Sequence, residues 1–279
     1  MTDQEWTPPP ALEVSLPGGR MMRYCAYGPA DGLPVVSLTG TPGTRWERPD
    51  VVSAFERAGL RVVAPDRPGY GGSGRQPGRA VADIAADVEA IADAEGWGRF
   101  AVTGFSGGGP HALACAALLA GRVTCCAAIA PPAPPDAPGA AFFADPAGGS
   151  AEDFRLALRG EQELRPYLEA RSRRALSGID AGETDRGRAI RLRAMYAGGP
   201  DGWVDDVIAL AHPWGFEPAS ISVPVSLWYG LRDSRIPRSQ KDGLLAQLPA
   251  AEVRQHPDGH DPGEAISQQI FEWIAAAGA

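Results

Sequence analysis

Gly104-Phe105-Ser106-Gly107-Gly108 sets a serine among small residues, after an apolar run and before an Ala- and Leu-rich helical stretch. A strand that turns sharply into a helix at such a serine lifts its hydroxyl to the carboxyl end of a sheet. The small neighbours are needed because the turn leaves no room for Cβ atoms. The N-terminus of the following helix offers unpaired N–H groups and partial positive charge to a developing anion. A serine nucleophile requires a base, and the chain has four histidines: His111, His212, His256 and His260. His111 lies within the helix after Ser106 and is expected to pack rather than react. His212 precedes Pro213 and reads as structural or pocket-lining. His256 ends a strand. His260 sits in the turn-rich Asp258-Gly259-His260-Asp261-Pro262, where a loop at a sheet's carboxyl end can present a base, and it is preferred. Asp233 follows the apolar run Val225 to Tyr229 and can fix the imidazole tautomer, with Asp136 held in reserve.

These side chains need elements to bring them together. Leu12 to Leu16 and Met21 to Tyr27 read as a hairpin across Pro17-Gly18-Gly19. Short apolar runs follow at Val35 to Leu38, Leu60 to Ala64, Phe100 to Thr103 and Val123 to Ala130. Between them lie helical stretches, the clearest at Val81 to Glu95 with Ile84, Val88 and Ile91 on one face. Strands alternating with helices predict a mostly parallel sheet covered on both faces. The rhythm stops at the proline-rich Pro131 to Pro138 and resumes at Val223 to Trp228, with a strand at Glu252 to Gln255 and a closing helix from about Glu264 to Ala277. The expected organisation is a core of residues 1–131 and 217–279 interrupted by a helical insertion at 132–216.

Composition narrows the function classes. The chain has 279 residues, 44% hydrophobic and 22% charged, which is ordinary for a globular protein. A net charge of −8 argues against a nucleic-acid partner, whose phosphates call for clustered Lys and Arg. No apolar run reaches the roughly 18 to 20 residues of a membrane span, and Met1 to Pro10 lacks the basic and apolar regions of a signal peptide. Cys25, Cys115, Cys125 and Cys126 match no zinc or redox spacing and read as reduced core residues of a cytoplasmic protein. The expected partner is a small-molecule substrate, met by a monomer or homodimer. The glycine-rich segments form neither a Walker loop nor a dinucleotide fingerprint, so no cofactor and no metal are expected.

The chain resembles the α/β-hydrolase superfamily, in particular its cap-bearing serine hydrolases. The resemblance rests on the serine turn Gly104 to Gly108 and on the order Ser106, Asp233, His260. It rests also on Gly230 to Pro237, which is similar to the family's G-x-x-D-x-x-I/V-P, and on Asp66 to Ser73, which looks like its D-x-x-G-x-G-x-S turn. Leu38 to Gly43 is similar to the family's H-G-x-P-G loop, with Thr39 in place of the histidine that braces it.

The resemblance implies a twisted sheet of about eight strands and a cap after the sixth. It implies an oxyanion hole made by the backbone N–H groups of Thr41 and Gly107, and leaves Asp66 a structural residue. It implies hydrolysis of an ester, lactone, thioester or amide through an acyl-enzyme. Lyase, cyclase or carbon–carbon bond hydrolase chemistry in the same pocket, or ligand binding alone, are the alternatives. A serine at the turn excludes the aspartyl nucleophile of the family's dehalogenases and epoxide hydrolases. Trp46, Phe105, Phe142, Phe143, Trp203 and Trp214 are candidate pocket walls.

Overall fold

The computed structural model describes residues 7–137, 151–180 and 185–279. Two glycines with positive φ, Gly18 at 85° and Gly19 at 82°, turn β1 (Leu12–Ser15) back onto β2 (Met21–Tyr27), as the Pro-Gly-Gly sequence predicts. The remaining strands are β3 (Leu33–Leu38), β4 (Leu60–Pro65), β5 (Phe100–Phe105), β6 (Val123–Ile129), β7 (Val225–Gly230) and β8 (Glu252–His256). They form one sheet in the order β1-β2-β4-β3-β5-β6-β7-β8. β1 and β2 pair antiparallel, β2 joins β4 antiparallel, and the other six strands run parallel.

Parallel strands need crossovers, and here these are helices on both faces. α1 (Pro49–Arg57) and α9 (Glu264–Gly278) cover one face; α2 (Ile84–Ala94), α3 (Gly108–Leu118) and α8 (Arg238–Gln247) cover the other. The period of two along each strand divides the core. Val35, Ala101 and Ala127 pack toward Phe55 and Phe271, whereas Val36, Val102 and Cys126 pack toward Val88 and Leu113. Each such branched side chain contributes roughly 1.5 to 3 kcal/mol when fully buried.

Between β6 and β7 the described residues include the α-helices α4 (Ala151–Arg159), α5 (Glu161–Asp180), α6 (Arg186–Met195) and α7 (Asp201–Ala211). α4 and α5 pack on α7. The start of α7 meets the loop after β4 so closely that a Cβ on Gly69 would lie 2.7 Å from the Gly202 nitrogen. No helix among the described residues is long and apolar enough to cross a membrane. Because six strands point the same way, the loops after β3, β4, β5, β7 and β8 all emerge at one edge of the sheet, and the polar residues of interest lie on those loops.

Candidate active site

Ser106 occupies the first position after β5 with φ 51°, a left-handed conformation that a residue with a Cβ adopts only under strain. Its surroundings hold it there. The Ser106 N–H donates to the Ile129 carbonyl at 2.7 Å, and the Ser106 carbonyl accepts from the Gly109 N–H at 2.9 Å. A Cβ on Gly108 would lie 2.0 Å from the Leu38 carbonyl oxygen, so only glycine lets α3 start against the end of β3. A Cβ on Gly107 would lie 2.3 Å from Thr41 Oγ1, which places the Thr41 side chain directly over Gly107. Thr41 and Gly107 are therefore neighbours across the turn, and both line the cavity that contains Ser106.

The loop after β8 brings His260 to this serine, with Nε2 2.9 Å from Ser106 Oγ. Nδ1 lies 3.0 Å from Asp233 Oδ2, in the loop after β7. The Asp233 side chain is fully buried, and its other oxygen accepts the N–H groups of Arg235 at 2.8 Å and Ile236 at 3.1 Å. Burial raises its pKa. The hydrogen bond and charge of His260, with those two N–H groups, outweigh that and hold the carboxyl below the ordinary aspartate range. Ser106, His260 and Asp233, separated by up to 154 positions, thus form one hydrogen-bonded line.

The other sequence candidates divide. Trp203 is 4% exposed and lines the Ser106 cavity, which measures about 40 Å³, together with Phe154, Val207 and Leu210. Trp214 does not reach the cavity. It lies beyond the end of α7, stacks on Phe216 at 5.9 Å and points its indole N–H at the Leu210 carbonyl. Trp46 does not line it either: it packs into the core on the α1 and α9 face, with the Arg45 guanidinium 4.5 Å from its ring centre. Phe105 points to that same face, because it neighbours Ser106 on a strand of period two. Its ring lies 5.2 Å from that of His260 and borders a separate cavity of about 180 Å³ with Thr39, Glu47 and Val51. Phe142 and Phe143 lie outside the described residues.

Of the other histidines, His111 is buried with Nδ1 2.8 Å from the Gly107 carbonyl, His212 is exposed, and His256 is buried at the end of β8. Asp136 is exposed. Asp66 is buried, accepts the Arg45 N–H at 2.7 Å and pairs with its guanidinium, which fixes the loops after β3 and β4 to each other.

One cluster beside the serine is not evident from local sequence patterns. Asp206, on α7, is fully buried. Its Oδ2 accepts from Arg67 Nη2 at 2.5 Å, Tyr70 Oη at 3.0 Å and Thr41 Oγ1 at 2.9 Å, while Oδ1 accepts from Arg79 Nη2 at 2.7 Å. Burial opposes the charge, yet the Arg67 and Arg79 guanidiniums hold this carboxyl well below the usual carboxylate range. Arg67 also donates to the carbonyls of Thr39 and Gly40 and to Thr41 Oγ1. The available signal was a pair of acids inside the apolar helical stretch Trp203-Val204-Asp205-Asp206-Val207.

Comparison with known proteins agrees with this architecture. Residues 34–262 match the family model described as alpha/beta hydrolase fold. Epoxide hydrolase A of Mycobacterium tuberculosis is 33% identical over 203 residues, covering 68% of this chain and 60% of that protein. RutD of Variovorax paradoxus (strain S110), which carries the name of an inferred carbamate hydrolase, is 33% identical over 154 residues, 53% of each chain. The chain thus spans little more than half the length of these two curated relatives. A thermophilic esterase from Thermogutta terrifontis superposes with a TM-score of 0.69 at 22% identity, over 97% of this chain and 100% of that one. The enol-lactonase from Burkholderia xenovorans LB400 superposes at 0.70 and 19% identity, over 95% and 99%. The fold, the match over most of its length and the strand-turn-helix serine lead to one assignment: the chain belongs to the α/β-hydrolase fold family.

Proposed function

We propose that this protein is a serine hydrolase that cleaves an ester, lactone, thioester or amide of a small apolar molecule through an acyl-enzyme. The observation that carries the reading is the line Asp233–His260–Ser106, at 3.0 Å and 2.9 Å, ending on a serine at a helix N-terminus beside Thr41. Ser106 Oγ attacks the substrate carbonyl carbon while His260 Nε2 takes its proton. The carbonyl oxygen gains the negative charge, and the N–H groups of Thr41 and Gly107 receive it. The tetrahedral intermediate collapses, the bond to the leaving group breaks, and His260 returns the proton to that group. Water then attacks the acyl-enzyme with His260 again as base, releasing the acid and free Ser106.

Asp233, held ionised, keeps the proton on Nδ1 and balances the imidazolium that forms twice in each cycle. The helices α4 to α7 serve as a cap, with Trp203, Val207 and Leu210 of α7 as an apolar wall for the acyl or leaving group. Ring opening of an epoxide through an enzyme ester needs a carboxylate nucleophile, and Ser106 stands at that position.

The test is a panel of p-nitrophenyl esters, lactones and peptides, with a fluorophosphonate probe, against wild type and Ser106→Ala. Wild type should label and turn over a carbonyl substrate, and the variant should lose roughly 10⁶-fold in kcat. Turnover unchanged in Ser106→Ala, or a wild type that neither labels nor turns over any member of the panel, would sink the reading.

A further inference from the structure

The two guanidiniums, the tyrosine and the threonine that converge on Asp206 do not all serve the same part of the molecule. Arg79 and Tyr70 tie α7 to the chain after β4. Arg67 and Thr41 tie it to the loop after β3, and at particular atoms: Arg67 donates to the carbonyls of Thr39 and Gly40, and Thr41 Oγ1 donates to Asp206. The Gly40 carbonyl belongs to the same peptide unit as the Thr41 N–H. A planar peptide holds C=O and N–H on opposite sides, so fixing the carbonyl toward Arg67 fixes the direction in which the N–H points. The Thr41 side chain, clamped between Arg67 Nη2 at 3.0 Å and Asp206 Oδ2 at 2.9 Å, sets the remaining rotation. Gly40 itself packs on the turn: a Cβ there would lie 3.5 Å from Ser106 Cβ.

The carboxylate is also the group on which Arg67 depends. Arg67 is buried, and a buried guanidinium holds its place only while its charge is matched. Nε and Nη2 of Arg67 both point at Asp206, at 3.2 Å and 2.5 Å. Asp206 sits on the same helix as Trp203, Val207 and Leu210, which line the Ser106 cavity. The helix that meets the substrate is thus the helix that anchors the loop.

We propose that Asp206 is a positioning residue for the oxyanion hole, aiming the Thr41 N–H through Arg67 and the Thr41 hydroxyl, so that the hole is correctly formed only when α7 is seated. The proposal rests on the serine-hydrolase reading and adds a specificity rule. A substrate whose bulk presses α7 out of place should lose kcat, not merely bind more weakly, because the displaced carboxylate carries the hole donor with it.

The experiment compares wild type, Asp206→Asn and Thr41→Val. Asp206→Asn leaves the buried Arg67 guanidinium without its carboxylate, whereas Arg79 keeps Asp205 at 3.2 Å. Thr41→Val keeps shape, charge and the backbone N–H and removes only the hydroxyl anchor, so it decides the matter if Asp206→Asn fails to fold. Rates are expressed per active site titrated with fluorophosphonate, the affinity of an aryl boronic acid reports the hole, and amide hydrogen exchange is followed in the peptide spanning residues 38–44.

Asp206→Asn should lower kcat roughly 10²-fold, as loss of one hole donor does. Thr41→Val should lower it roughly tenfold, the worth of one charge-assisted hydrogen bond. Boronate affinity should fall in step with kcat, while KM stays within about threefold. Exchange in the 38–44 peptide should quicken in both variants. A folded variant with kcat and boronate affinity unchanged overturns the proposal, as does a loss confined to KM or to the number of titratable sites. If wild type itself does not label, the serine reading has failed. Hydrogen exchange then still decides whether Asp206 holds the loop, and an unchanged 38–44 peptide refutes it.

Discussion

Asp233→Asn is the substitution whose consequence the geometry determines most closely. Oδ1 of Asp233 accepts two backbone N–H groups, from Arg235 at 2.8 Å and Ile236 at 3.1 Å, and Oδ2 accepts from His260 Nδ1. An asparagine has one oxygen and one NH₂ to place on these two sides. Turning the NH₂ toward Arg235 and Ile236 would set it against two N–H donors and leave both without an acceptor, at about 1 to 3 kcal/mol for the one on buried Ile236. The amide oxygen therefore takes that side, and the NH₂ faces His260. Nδ1 must then accept, which moves the ring proton to Nε2. Nε2 now donates to Ser106 Oγ and cannot take its proton.

The fold and the 2.9 Å spacing survive, but the base is lost. A wrong tautomer of this kind lowers kcat by about 10⁴, equivalent to about 5 kcal/mol of transition-state stabilisation. The assay is kcat for a p-nitrophenyl ester at saturation, normalised to titrated sites, with Asp136→Asn as an exposed control that keeps full activity. Asp233→Asn retaining more than about a tenth of the wild-type kcat would refute the orienting role of Asp233.

His111 makes stability depend on pH. Burial and the Arg67 charge push its pKa down to about 4, below its unfolded value of roughly 6.5. Between these values the unfolded chain binds the extra proton, so stability falls as pH drops from about 6.5 to 4 and is level in this respect above it. Urea unfolding across that range should show the fall, up to roughly 3 kcal/mol, and His111→Gln should flatten it; equal slopes in both proteins would exclude His111 as the source. The four free cysteines are buried, and burial pushes the Cys125 thiol up to about 11 and those of Cys115 and Cys126 well above their usual value. A disulfide reagent at pH 8 should therefore detect no fast-reacting thiol in the native protein and all four after denaturation in guanidinium. Rapid labelling of even one native thiol would contradict the buried placement.

The parts legible in the sequence were those whose signal is local. Glycines flanking Ser106, a period of two in each strand and turn residues around His260 are short-range constraints, and they sufficed to predict the sheet and to single out the three residues the structure brings together. The pocket walls were less legible. Trp203, Val207 and Leu210 share a face of α7 by helical spacing, but Trp214 falls just past its end and turns inward. In sequence Phe105 adjoins Ser106 and Trp46 follows the loop after β3. The face that a strand residue presents, and the stacking of Arg45 on Trp46, sent both to the opposite side of the sheet. Asp206 was missed because its partners come from loops more than 120 positions upstream, and pairing of buried charges across such distances leaves no periodicity to read.

The pairing of Arg67 with Asp206 joins two stretches of chain that chimera builders would separate. Grafting residues 132–216 from another member of this family onto this scaffold is an obvious route to altered substrate range. A donor lacking a carboxylate at the place of Asp206 would strand the Arg67 guanidinium in the interior and leave Arg79 to Asp205 alone, and removing one side of a buried pair typically destabilises by about 3 to 5 kcal/mol. Successful grafts should therefore carry that aspartate with them, or replace Arg67 by an uncharged residue in the same step.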